Sequence, residues 1–152
     1  MRKKSFLESL GFFLHPKFEF HLLIELVINL VAVIPVIGLF ELFEYPLVTY
    51  ANIIGVIIYI VVATLLMESL KVYILRHFIN YIFKSKGIIL FIIYGLIFYL
   101  TTFLIKDLMF NKNVLLNLFI FTVSFLILKI LLIIVYQRLQ TNKRGEEEWK
   151  SG

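Results

Sequence analysis

Cysteine is absent from all 152 residues, which excludes disulfides, thiolate metal ligands and a cysteine nucleophile. Charge is scarce too. Only 16% of residues are Asp, Glu, Lys or Arg, against about 25% in an ordinary globular chain. The three histidines, His15, His21 and His77, stand far apart in sequence. No HExxH or other metal-spaced cluster and no phosphate-cradling glycine loop is present. A GxSxG elbow is missing, as is a GxxxG helix-dimer motif. These absences leave no candidate catalytic residue and no metal or cofactor site, so a non-enzymatic protein is expected.

What is present is apolar. Hydrophobic residues make up 61% of the chain and the mean hydropathy is +0.97. They concentrate in four runs, at about 19–40, 46–67, 87–105 and 114–136. A helix crossing a bilayer core needs ~20 residues. Backbone groups in hydrocarbon must bond internally, so spanning segments are helices or closed barrels. The runs lack strand-type alternation, which points to helices. The expected fold is therefore an all-α integral membrane protein with four transmembrane helices in an up-down antiparallel bundle. One membrane domain covers residues 1–152, because the polar tail 137–152 is too short to bury a core of its own.

Lysine and arginine set the expected orientation. The N-terminal segment 1–17 carries Arg2, Lys3, Lys4 and Lys17, and the link between spans two and three carries Lys71, Arg76, Lys84 and Lys86. The tail carries Arg138, Lys143, Arg144 and Lys150. The first link, Glu41 to Tyr45, carries none, and the last only Lys106 and Lys112. The positive-inside rule then places both termini and the 68–86 link in the cytoplasm of a cell whose inner or plasma membrane holds the chain. Met1-Arg2-Lys3-Lys4 has the charge of a signal-peptide start, but no small-residue cleavage site follows, so no removal is expected. The net charge of +5 is read as contact with anionic inner-leaflet lipid, not nucleic acid.

Two segments read as interfacial. Residues 5–14 form a short amphipathic turn ended by His15-Pro16. In 68–86, Leu70, Ile74, Phe78 and Ile82 recur every four residues, while Arg76, Asn80 and Lys84 mark another face. That is an amphipathic helix with a basic side, suited to a membrane surface and able to continue span two.

Ionisable groups inside spans are costly and mark a bundle interior or a water-filled cavity. Here they are arranged. His21, Glu25 and Asn29 fall at i, i+4 and i+8, along one face of span one. Lys129 in the antiparallel span four lies at a similar depth, so Glu25 is expected to face Lys129. Snorkelling of Lys129 to the headgroups is the competing expectation. Glu68 is placed to meet Lys71 at i+3 or to join the Glu25–Lys129 pair. Asn52, Thr101, Thr102 and Asn117 are expected to bond between helices. Pro35 is expected to kink span one.

From Glu68 onward the chain resembles the phosphate-starvation-inducible PsiE family of small four-span membrane proteins. The residues that carry the likeness are Glu68-Ser-Leu-Lys71-Val-Tyr73, the basic link, the apolar run 88–105 and Lys106-Asp107. It covers residues about 60–136. Family members carry an arginine about six residues before the aspartate, where this chain has Thr101. The resemblance implies an inner-membrane protein linked to stress response.

Two functions fit this reading. One is an accessory protein that acts through contacts with lipid or with a membrane-protein partner. The other is a small oligomeric channel, holin-like pore or proton-coupled transporter built on the His21-Glu25-Asn29 stripe.

Overall fold

A computed structural model describes residues 14–77, 79–85 and 88–150. The helices are α1 (Phe18–Leu42), α2 (Ile53–His77), α3 (Ile79–Lys84), α4 (Ile88–Leu104) and α5 (Val114–Lys150). Two short strands, β1 (Val48–Tyr50) and β2 (Leu108–Phe110), lie in the α1–α2 and α4–α5 connections. Helix α1 packs on α2 and α5, and α4 packs on the same two, so the four long helices close a ring.

Helices α1, α2 and α5 are long and apolar enough to cross a membrane. Helix α4, with 17 residues, is ~25 Å long at 1.5 Å per residue. The surface is the reverse of a water-soluble protein's. Val27, Val31, Ile34, Ile57, Ile58, Leu65, Ile92, Leu96, Ile127 and Leu131 face outward, while Glu25 and Lys129 are almost wholly enclosed. Apolar surface on that scale, with charge inside, is what lipid as solvent favours.

Helix boundaries differ from the hydropathy limits for local reasons. Helix α1 runs through Pro35 to Leu42. It ends with the Tyr45 N–H on the Phe40 carbonyl and the Glu44 N–H on the Glu41 carbonyl. This is a Schellman stop, and it puts Glu44 at φ 57, where glycine is usual. Pro46 follows and bars any continuation. Residues 46–52, expected within span two, instead form β1 and a turn. Helix α2 begins only where Asn52 caps it, its Oδ1 accepting the Gly55 N–H at 2.6 Å. The helix then continues past Glu68 to His77, so the expected surface helix 68–86 is partly an extension of span two. Likewise α5 does not stop at Tyr136. It extends through most of the expected tail to Lys150. The amphipathic turn expected at 5–14 lies outside the described residues except Leu14, which is buried against Ile28 and Ile133.

The strands pair antiparallel, Val48 with Phe110, Thr49 with Met109 and Tyr50 with Leu108. Val48, Leu108 and Phe110 turn inward beneath the sheet. They join Ala32, Val33, Val36 and Ile37 of α1, Val56, Tyr59 and Ile60 of α2, Phe98 of α4 and Phe121 and Phe125 of α5 in one apolar core. The rings of Phe98, Phe110, Phe121 and Phe125 meet edge to face at 5.0–5.5 Å. Asn111 fastens the sheet through its Nδ2 to the Pro46 carbonyl at 2.6 Å.

Candidate functional site

The inward face of α1 carries His21, Glu25, Ile28, Asn29, Ala32 and Val33, all buried. Helical spacing alone puts the three polar members in one row, because residues four apart lie one above the other. The inward face of α2 runs through Val56, Ile60, Ala63, Thr64, Met67, Glu68, Lys71 and Ile74 at the same three-to-four spacing. The polar residues of α1, near its start, thereby meet those in the C-terminal half of α2. Helices α4 and α5 close the other side with Tyr94 and Lys129.

These side chains form one hydrogen-bonded cluster. Glu25 Oε1 accepts from both Lys71 Nζ, at 2.9 Å, and Lys129 Nζ. Lys71 also donates to Glu68 Oε1 at 2.6 Å. Lys129 donates to the Tyr94 hydroxyl at 2.6 Å, and its ammonium sits 4.7 Å from the centre of the Tyr94 ring and 5.7 Å from that of Phe125. The far end is closed by His21, whose Nε2 lies 3.0 Å from Glu68 Oε2. Its Nδ1 accepts the Leu14 backbone N–H at 3.3 Å, so the proton of the neutral ring belongs on Nε2 and is donated to Glu68.

Among the described residues the cluster is charge-balanced. Two carboxylates face two ammoniums, and the imidazole and phenol are neutral donors or acceptors. That balance matters because an isolated charge in a low-dielectric interior is prohibitively costly, and a paired one is tolerable only when well hydrogen-bonded. All four long helices contribute: α1 gives His21 and Glu25, α2 gives Glu68 and Lys71, α4 gives Tyr94, and α5 gives Lys129. Two acceptors are left over. Glu25 Oε2 and Asn29 Oδ1 are buried with no hydrogen-bond partner among the described residues, although Asn29 Nδ2 donates to Thr64 Oγ1 at 2.9 Å.

The expected Glu25–Lys129 contact is present, and Glu68 both meets Lys71 and joins the cluster. Lysine 129 is enclosed, not reaching for the headgroups. One assignment is corrected. Lys71, expected with Arg76, Lys84 and Lys86 on the membrane surface, is buried at 4% exposure inside the cluster. The cause is the continuation of α2, which keeps position 71 on the inward face one turn after Glu68. Lys84 is exposed; the side chains of Arg76 and Lys86 lie outside the described residues.

Three other polar residues bond locally instead of between helices. Asn52 caps its own helix, and Thr101 and Thr102 donate to the carbonyls of Ile97 and Tyr99. A threonine in a helix can satisfy its hydroxyl on the preceding turn without any neighbour. Asn117 does reach across, accepting from Tyr45 at 3.4 Å. Tyr94 was missed by sequence reasoning. Its signal was a phenol in an otherwise apolar run, which needs a partner when buried.

Among the described residues no group of His, Asp and Glu could hold a metal ion. Comparison with known proteins finds no family model, no curated relative and no solved structure that matches the chain.

Proposed function

We propose that this chain is a small, non-enzymatic, multi-pass protein of the cell membrane that serves as an accessory, PsiE-like component through contacts with lipid or a membrane-protein partner. In this reading α1, α2, α4 and α5 are four spans of an up-down bundle, with both termini and the 68–86 link in the cytoplasm. The case for α4 as a span rests on its two ends. Near its start Tyr94 meets the cluster shared with α1, α2 and α5, and beyond its end β2 pairs with β1. It therefore covers the same interval as the three longer helices. Seventeen residues are at the short limit for crossing.

The observation that carries the functional reading is the balanced cluster drawn from all four long helices. Its charges are consumed in holding the helices to one another, which suits a fixed framework whose outer surfaces do the work. Those surfaces are the lipid-facing apolar belt, the exposed Lys84, and the end of α5. That helix extends to Lys150, beyond the apolar segment that stops at Gln140.

A second reading, a proton-coupled transporter or small oligomeric pore, is favoured by one observation. Among the described residues, Glu25 Oε2 and Asn29 Oδ1 are buried acceptors without donors on the very stripe such a pathway would use.

Flux in proteoliposomes separates the two. The accessory reading expects no proton or ion leak above that of empty vesicles, for the native protein and for Glu25→Gln alike. A pH-dependent flux that Glu25→Gln abolishes would overturn it in favour of transport.

A further inference from the structure

Between Asn29, Thr64 and Tyr94 lies a small cavity of about 10 Å³, otherwise walled by apolar side chains that include Val33, Ala63 and Phe125. We infer that it is a binding site for a single water molecule, which joins Asn29 to the charged cluster through Tyr94.

The donors and acceptors around it are incomplete in complementary ways. Asn29 is 4% exposed, and its Oδ1 has no donor among the described residues. Thr64 Oγ1 accepts from Asn29, and among the described residues no acceptor takes its own proton. Tyr94 accepts from Lys129, and its proton is likewise without an acceptor there. One water accepts from a hydroxyl and donates to the amide oxygen. Turning the amide over does not remove the need. Oδ1 would then take the Thr64 proton, and Nδ2 would be the atom without a partner, which water also satisfies. The space is enough to admit one water, and two to four polar partners are what a buried water requires.

Other occupants fit poorly. A cation held by the Tyr94 oxygen would sit one hydrogen bond from the Lys129 ammonium. An anion would meet mostly hydrocarbon walls. A dry cavity would leave an amide atom orphaned, which is costly in an apolar interior.

The water lengthens the polar path. From His21 it runs through Glu68, Lys71, Glu25, Lys129 and Tyr94 to Asn29, which is ~16 Å along α1 from Phe18 at 1.5 Å per residue. Beyond Asn29 the interior is Ala32, Val33, Val36 and Ile37, capped by Val48, Leu108 and Phe110. The path is a blind shaft, hydrated at its end but closed toward the sheet.

Solid-state NMR of the full chain in lipid bilayers tests this by transfer of magnetisation from water to the Asn29 side-chain amide. Transfer is expected at Asn29 and not at the fully buried Ala32. Ala63→Val, which builds into the cavity, should abolish the transfer to Asn29; Val33→Ile serves if that variant does not fold. No transfer in the native protein would overturn the inference. So would transfer that persists in a folded filling variant, since the water would then lie elsewhere. A shift of the Asn29 resonance on exchanging potassium for sodium would overturn it in favour of a cation.

Discussion

At one end of the helices His21, Glu25, Glu68, Lys71, Tyr94 and Lys129 interlock through charge. At the other, Val48, Leu108, Phe110 and Phe121 pack beneath a two-stranded sheet. Both ends hold the same four helices, by different physics. The charged end is specific and brittle. Each ion was taken from water at a cost, and it is stable only while its partners remain. The sheet end is additive and tolerant, because dispersion contacts are many and individually small. The charged end also fixes which helices are neighbours, since a buried acid has few acceptable partners. The apolar end alone leaves that choice open, as lipid tails compete equally well for any apolar face.

The largest effect that sharpens this contrast comes from Glu25. Replacing it with Leu leaves Lys71 and Lys129 enclosed with like charges facing each other, and should cost about 3–5 kcal/mol, the range for breaking a buried pair. Lys129→Met should cost less, because Lys71 still serves Glu25. The double change should cost clearly less than the sum of the two, since the second substitution removes an ion that the first left unpaired. Reversible unfolding in mixed detergent measures all three. Strict additivity would mean the two residues do not interact, and the charged end would lose its special status.

At the sheet end the comparable test is Gly55. A Cβ built there lies 2.5 Å from Asp107 Cβ, closer than two carbons can sit. The first turn of α2 is pressed against the α4–β2 connection, and the obstructing atom is the stub of a side chain, so it cannot swing aside. Gly55→Ala should destabilise by ~1–3 kcal/mol, as overpacking does. Adding Asp107→Gly should recover most of that loss. A rescue confined to this pair would place the strain at the contact; no rescue would place it in the helix backbone. Next in size is Asn52→Ala. It removes the acceptor for the Gly55 N–H and should cost about 1 kcal/mol, the usual value of an N-cap.

Much of the charged end was legible in the sequence. The i, i+4, i+8 spacing of His21, Glu25 and Asn29 fixes a face whatever the surroundings, and opposite charges at matched depth have little choice of partner. Lys71 was misplaced because a lysine shortly after an apolar run resembles a surface anchor. Against that stands the inward row itself: positions 56, 60, 63, 67, 71 and 74 continue one stripe through the expected end of the span. The sheet end was less legible. Residues 46–67 are apolar but for Thr49, Asn52, Gly55 and Thr64, and so dense a run has no period from which to tell strand from helix. The punctuation was nonetheless present, in Pro46 and the capping Asn52. The β1–β2 pairing itself joins segments about sixty residues apart, and no local pattern carries that information.

The smallest expected effect concerns the rim of the sheet end, and it tests whether that end holds any electrostatic contact of its own. Tyr50, in β1, lies near the Glu41 carboxylate at the end of α1, and hydrogen bonding to that carboxylate together with its negative charge raises the Tyr50 pKa above its ordinary value. The sign follows from which form is favoured. The carboxylate stabilises the protonated phenol by accepting its hydrogen bond, and it repels the phenolate. Tyr50 should therefore ionise at higher pH than an unhindered tyrosine, and Glu41→Gln should move its titration back toward the ordinary range. Ultraviolet difference titration against Tyr50→Phe reads this one phenol out of the eight in the chain. Because Tyr50 is open to solvent, the shift should shrink as salt is added, unlike any property of the enclosed cluster. If Glu41→Gln leaves the Tyr50 titration where it was, the rim contact contributes nothing, and the contrast between a charged end and an apolar end becomes complete.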